Sequence, residues 1–182
     1  MTAKNKTSRG TLRWGRWVRD GIILALLMFF ASKWQTKDML DTDSSVVIAP
    51  FSLPLVDGGS QRMGPGSGKA TLLYFFAPWC EICKASINNL EYVDSKRFNV
   101  YRVALDYKSV NEVKAFKALS DIEGPILLGD EGLKDTFKVQ GYPTYYLLNE
   151  KFVIKASSMG YSSAAGLKMR TWVTAPEAGQ VE

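Results

Sequence analysis

From Val46 onward the apolar residues fall into compact runs separated by amphipathic stretches, the pattern of a mixed sheet covered by helices, an α/β arrangement. Residues 70–77, "ATLLYFFA", read as a strand buried on both faces, and residues 98–106 as a second. Between them, Cys83 to about Lys96 predicts a helix. Residues 110–119 predict an amphipathic helix, 125–128 a short strand and 131–139 a short helix. Residues 144–148 and 152–156 form an expected hairpin about "NEK", and 162–173 a closing helix. Ahead of these, "VVIAPFSLPLVDGGS" predicts an extended entry and a hairpin that turns at Asp57-Gly58-Gly59, with its prolines confined to edges or turns. The following "MGPGSG" is a loop. Its glycines lack the lysine-hydroxyl ending that a phosphate-cradling loop needs.

The N-terminal pattern differs. Residues 21–32, "GIILALLMFFAS", are apolar and uncharged, with Trp14 and Trp17 on one side and Trp34 on the other. Tryptophans at both ends suit the two membrane interfaces, where an indole buries its ring and still donates its N–H. The 18 residues from Trp17 to Trp34 would span about 27 Å as a helix, close to the ~30 Å hydrocarbon thickness, with Arg19 and Lys33 snorkelling outward. The competing reading is the hydrophobic region of a signal peptide. Cleavage wants small residues one and three positions before the cut, but Ala31 is preceded at that spacing by Phe29 and Ser32 by Phe30. An uncleaved anchor over 21–34 is therefore expected. A basic cytoplasmic tail would occupy 1–20, a polar linker 35–45, the folded domain 46–174 and a frayed tail 175–182. The basic end stays in the cytoplasm, which puts the domain in the periplasm, beyond the bacterial inner membrane, where disulfides persist.

Composition changes the picture once it is placed along the chain. The 182 residues are 46% hydrophobic and 23% charged, suited to one core, with a net charge of +5. Residues 1–20 hold six basic side chains and one acidic; the other 162 residues hold 17 of each. The basic balance belongs to the tail, which excludes nucleic-acid binding by the domain as an expectation.

The chain has two cysteines and no histidine. Both cysteines lie in "FFAPWCEIC", where a buried strand feeds into a helix. Cys80 falls at or just before the helix N-terminus, where free N–H groups and the positive end of the dipole favour a thiolate. Cys83, one turn deeper, is placed to attack a mixed disulfide formed on Cys80. As a structural staple the pair would be poor, since so small a ring constrains the unfolded chain little. Zinc would want more thiolate and imidazole ligands than the chain supplies, and covalent haem attachment a histidine where Lys84 stands. A redox dithiol is the leading reading. Two thiolates holding Cu(I) is the alternative, which the scattered methionines do not favour.

"YFFAPWCEICK" resembles the strand-to-helix active site of thioredoxin-fold proteins, and "GYPTYYLLNEKFVI" their cis-proline loop and hairpin. "VALDYKSVNEVKAFKAL" and "PILLGDEGLKDTFKV" resemble the helix-strand insertion of the TlpA, ResA and DsbE group of membrane-anchored periplasmic oxidoreductases, and "APFSLPLVDGGS" that group's N-terminal hairpin. The resemblance covers residues 46–173 and is greatest to the suppressor of copper sensitivity D type. It implies a thioredoxin-like fold and thiol-disulfide exchange without a cofactor or a metal. Pro143 would be the cis-proline facing the disulfide, with Tyr142 and Thr144 flanking it along the client strand and Trp79 shielding Cys80. The partners implied are disulfide-bearing periplasmic clients and a membrane electron donor for recycling.

Departures from the family pattern put the proton acceptor for Cys83 in doubt. Thioredoxins carry an acid six residues before the first cysteine, where Tyr74 stands; ResA-type members carry a glutamate three residues after the second, where Ser86 stands; and Asn88 replaces the usual helix proline. Glu81 is the nearest carboxylate in sequence, either as a base or as a first-turn residue that complements the dipole, and Asp106 is a remoter candidate. The Glu-Ile insert adds no cation to the thiolate. A strong oxidant is thus disfavoured, and the expected direction is reduction of clients.

Overall fold

The computed structural model describes residues 17–27, 30, 39, 40, 42 and 46–174. The chain divides into two units, Met1–Lys37 and Asp38–Glu182. In the first, residues 17–27 are helical (α1). Among the described residues no helix is long and apolar enough to cross a membrane. The expected tail over 1–16, part of the expected anchor (28, 29 and 31–34), much of the expected linker (35–38, 41 and 43–45) and the tail 175–182 lie outside the described residues.

The second unit is built on β3 (Ala70–Phe76), whose seven residues are all buried. It pairs in parallel with β4 (Phe98–Ala104) and antiparallel with β6 (Thr144–Leu148). With β5 (Ile126–Leu128) and β7 (Ile154–Met159) the sheet order is β5-β4-β3-β6-β7. Alternation along the strands divides the core into two layers. Leu72, Tyr74 and Phe76 share one face with Cys83, Ile87, Phe116 and Leu167; Leu73, Phe75 and Tyr146 share the other with Leu133, Phe137 and Met63. The first layer carries helices α2 (Glu81–Ser86), α3 (Val110–Leu119) and α5 (Ala164–Thr174). The second carries α4 (Glu131–Thr136) and the hairpin of β1 (Phe51–Pro54) with β2 (Ser60–Met63).

Local chemistry fixes the element ends. Ser109 and Asp130 cap α3 and α4 by accepting the N–H groups of Glu112 and Leu133, and the Glu112 carboxylate returns to the Lys108 N–H. The hairpin turns at Gly58 and Gly59, whose φ values of 100° and 81° only glycine adopts readily. It then joins the β5 edge through the Val56 N–H on the Ile126 carbonyl, so that edge is covered.

Three expected element bounds shift. The helix predicted from Cys83 to Lys96 begins at Glu81 and gives way to a 3-10 helix over Ile87–Tyr92. Ser86 bonds back to the Ile82 carbonyl, while Asn88 and Asn89 spend their amides on the Ser120 and Ser162 carbonyls, all of which weaken a straight α-helix. Helix α4 stops at Thr136 because Lys138 takes a left-handed backbone, φ 47°. Strand β7 begins later than predicted because the Asn149 side chain gathers the N–H groups of Lys151 and Val153 into the turn, with Phe152 at φ 61°. Within the expected linker, Met39 is buried in the second layer, and the Leu40 N–H reaches the Tyr146 hydroxyl.

That hydroxyl is itself buried and donates to the Phe137 carbonyl at 2.6 Å, tying β6 to the end of α4. Tyr146→Phe is expected to cost about 1–3 kcal/mol in urea unfolding, because a buried carbonyl loses its donor. Burial pushes the Tyr146 pKa up to about 12, against the lowering effect of the Leu40 N–H. An unfolded tyrosine ionises near ~10, so this group's stabilisation is complete below that pH and is lost as pH rises toward the folded value. The alkaline decline in stability should therefore be shallower in Tyr146→Phe than in the parent protein.

Candidate active site

Strand β3 ends at Phe76, and Ala77-Pro78-Trp79 carries the chain into α2 with Cys80 as its N-cap. The Cys80 backbone is extended, φ −85° and ψ 107°, as an N-cap requires. Its sulfur accepts the Cys83 N–H at 3.1 Å, and its carbonyl accepts the Lys84 N–H at 3.2 Å. Helix α2 has only six residues, so the local N–H groups matter more than a long macrodipole. When the pair is reduced, the same N–H faces a thiolate and the bond becomes charge-assisted.

Cys80 and Cys83 form a disulfide, with their Cα atoms 5.2 Å apart. The two sulfur-bearing residues are unequal. Cys80 retains 7% exposure and Cys83 has none. What exposure the pair has therefore belongs to Cys80.

The second loop arrives through the sheet. Because Phe75 pairs with Thr144, the start of β6 lies beside the end of β3. The Tyr142–Pro143 bond preceding β6 is cis, and Pro143 is buried. The Trp79 and Tyr142 rings meet edge to face, with centroids 5.7 Å apart. Thr144 is buried, and its hydroxyl donates to the Gly141 carbonyl. Among the described residues no backbone hydrogen bond engages Tyr142, whereas the Pro143 carbonyl accepts the Gly160 N–H.

Trp79 is 57% exposed and stands outside the core. Its indole N–H donates to the Asp106 carbonyl at 3.1 Å, an anchor the sequence did not reveal. Asp106 sits at φ 49°, a backbone aspartate tolerates better than most residues. Its carboxylate holds Lys134 at 2.9 Å. Burial, and then the Asp106 carboxylate, push the Tyr142 pKa upward, so this phenol remains protonated.

The two carboxylates singled out as proton acceptors are therefore both ion-paired. Glu81 is exposed and bound to Lys84 at 2.7 Å. On the buried side of Cys83 stand hydroxyls instead. The Tyr74 hydroxyl lies 3.0 Å from Ser86 Oγ and donates toward the Cys83 carbonyl at 3.3 Å. Burial drives the Tyr74 pKa upward, opposed by the Ser86 hydrogen bond. Sequence reasoning marked Tyr74 and Ser86 as places where an acid was missing but did not find that they bond to each other. The signal was their spacing: an inward strand position and a residue one turn after Cys83.

A disulfide at the head of a helix, with Cys83 fully enclosed and what exposure there is on Cys80, suits exchange rather than stapling. The fold and site define a thioredoxin-like thiol-disulfide oxidoreductase. The chain belongs to the AhpC/TSA family, whose model matches residues 47–157. It is 30% identical over 149 residues to the thioredoxin-like protein YneN of Bacillus subtilis, covering 77% of this chain and 88% of that protein. Similarity to the thiol:disulfide interchange protein DsbE of Tatumella citrea is 30% over 167 residues, 83% of this chain and 86% of the relative. The crystal structure of StoA from Bacillus subtilis superposes with a TM-score of 0.60 at 28% identity, covering 69% of this chain and 98% of StoA.

The unequal burial of the two cysteines gives a direct expectation. In the reduced protein near neutral pH, alkylation should label Cys80 faster than Cys83 by on the order of tenfold or more, since exposure and thiolate character both favour it. Peptide mapping of partially alkylated protein would measure the ratio, and equal labelling would contradict the assignment of the nucleophile.

Proposed function

We propose that the protein is a membrane-anchored periplasmic reductase of client disulfides, of the suppressor of copper sensitivity D type. The observation that carries the reading is the fully enclosed Cys83 behind a Cys80 that keeps 7% exposure, beside a Tyr142 whose backbone makes no hydrogen bond among the described residues. Thiolate Cys80 attacks a client disulfide, forming a mixed disulfide and releasing one client sulfur as a thiolate that takes up a proton. Cys83 then attacks Cys80, the Cys80–Cys83 bond forms, and the second client sulfur leaves. The client gains two electrons from the enzyme and two protons, one released by the Cys83 thiol and one from solvent. A membrane dithiol donor would restore the reduced enzyme by the reverse exchange. An extended client segment laid along Tyr142 to Thr144 would present its sulfur to Cys80 through backbone pairing. The absence of a cation in the Glu-Ile insert supports the reducing direction, since stabilising the Cys80 thiolate strongly would favour an oxidant.

Trapping tests the chemistry. Cys83→Ala should accumulate mixed disulfides with periplasmic proteins, whereas Cys80→Ala should form none. Failure of Cys83→Ala to trap any client, together with stoichiometric Cu(I) binding by the reduced parent, would replace exchange with metal handling.

The basic residues of 1–20 before the apolar run support the topology. A reporter fused after Glu182 should be active when it is of a type that functions in the periplasm and silent when it requires the cytoplasm. The reverse result would invert the orientation.

A further inference from the structure

Strand β4 reads "FNVYRVA", and its alternation turns Phe98, Val100, Arg102 and Ala104 toward the layer that holds Cys83. Arg102 is thus a cation at an apolar position. It is 8% exposed, its Nε has no hydrogen-bond partner, and no ion pair reaches it among the described residues. An arginine cannot shed its proton to relieve the burial. Room is made for it: a Cβ on Gly124 would come within 2.5 Å of Arg102 Nη1, so only glycine lets the guanidinium lie there.

The register places Arg102 directly beside Tyr74 on the neighbouring strand, and both lie on the same face. Tyr74 in turn lies against Ser86 Oγ and the Cys83 carbonyl. A cation on the strand beside Tyr74 acts on the phenol through the poorly screened interior, polarising its hydroxyl as a donor toward the Cys83 turn. Arg102 also draws the Tyr74 pKa downward, although burial outweighs it.

We propose that Arg102 is a positioning residue for the resolving step. Acting through the Tyr74 hydroxyl, its buried charge favours the thiolate of Cys83 as that sulfur attacks, in place of a buried carboxylate base. The other charged and titratable groups around this layer fit that assignment. Tyr145 from β6 faces Tyr74 edge-on at 5.0 Å and is held protonated by burial. Glu91 on the 3-10 helix is exposed and acts on Arg102 without forming an ion pair. Arg170 on α5 acts near Tyr145, Tyr142 and Tyr107 pack at the margin, and Glu81 and Lys84 on α2 neutralise each other. Among the described residues no carboxylate is buried, and the buried charged side chain is the cation Arg102. The electron and proton balance needs no internal base. The Cys83 thiol gives its proton to solvent, its sulfur bonds to Cys80, the Cys80–partner bond breaks, and the departing thiolate takes up a proton.

This rests on the proposed exchange reaction, and one experiment separates the two. The full-length protein is loaded at acid pH with glutathione as a mixed disulfide on Cys80, then shifted across a range of pH while glutathione release is followed. The parent should release glutathione with a single acid-side midpoint. Arg102→Met should move that midpoint up by about one pH unit, making release about tenfold slower below it. Tyr74→Phe should move it in the same direction, and Arg102→Lys should restore it. Should Arg102→Met fail to fold, Gly124→Ala, which displaces the guanidinium without removing its charge, should give a smaller upward shift. An unchanged midpoint in folded Arg102→Met, or in folded Tyr74→Phe and Gly124→Ala, overturns the proposal, as does a folded Arg102→Lys that behaves like Met. A parent that never releases glutathione would instead overturn the exchange reaction itself.

Discussion

Strand β3 runs wholly buried through the middle of the sheet, and its antiparallel pairing with β6, from Thr71 against Leu148 to Phe75 against Thr144, decides where the chemistry gathers. The chain leaves β3 toward Cys80 at the same end of the sheet where it enters β6 from Pro143. Two segments more than sixty residues apart in sequence therefore meet as the Trp79–Tyr142 ring pair. The parallel partner β4 extends the arrangement, since it ends near Asp106, whose carbonyl holds the Trp79 indole and whose carboxylate holds Lys134 of α4. A slip of one residue in either pairing would turn Tyr74 and Cys83's neighbours to the opposite layer.

The site is consequently two-sided. Its outer side is made of Cys80, an exposed indole and a backbone segment at Tyr142 that is open to pairing. Its inner side is closed by Cys83, Ser86, Tyr74 and, one strand away, Arg102. Because a buried group loses the screening of water, the sign of the inner lining matters far more to Cys83 than the exposed Glu81–Lys84 pair does. Hydroxyls and a cation there favour a thiolate by electrostatics, whereas a carboxylate would act by taking up the thiol's proton and, while ionised, would disfavour the thiolate.

The fold was largely legible from pattern. The unbroken apolar run at 70–77 and the amphipathic run at 110–119 correspond to β3 and α3, because burial on both faces and burial on one face leave different periodicities. Element ends were less legible where side chains compete for the backbone. Ser86, Asn88 and Asn149 each divert hydrogen bonds that regular structure would use, and their bonding partners lie in segments that only folding brings near.

The sequence by itself determined that the chain carries one reactive dithiol at a strand-to-helix junction and a proline loop resembling the one that accompanies it, since both are local spacings. It also marked Tyr74 and Ser86 as positions without an acid. Only the tertiary structure decided that those two hydroxyls touch, that Cys83 is fully enclosed while Cys80 keeps a little exposure, and that Arg102 is buried without an ion pair on the strand beside Tyr74. The reason is physical. Exposure, and the field at a sulfur, depend on which strands and helices close over it, and a strand's neighbours are set by long-range pairing that no local spacing records.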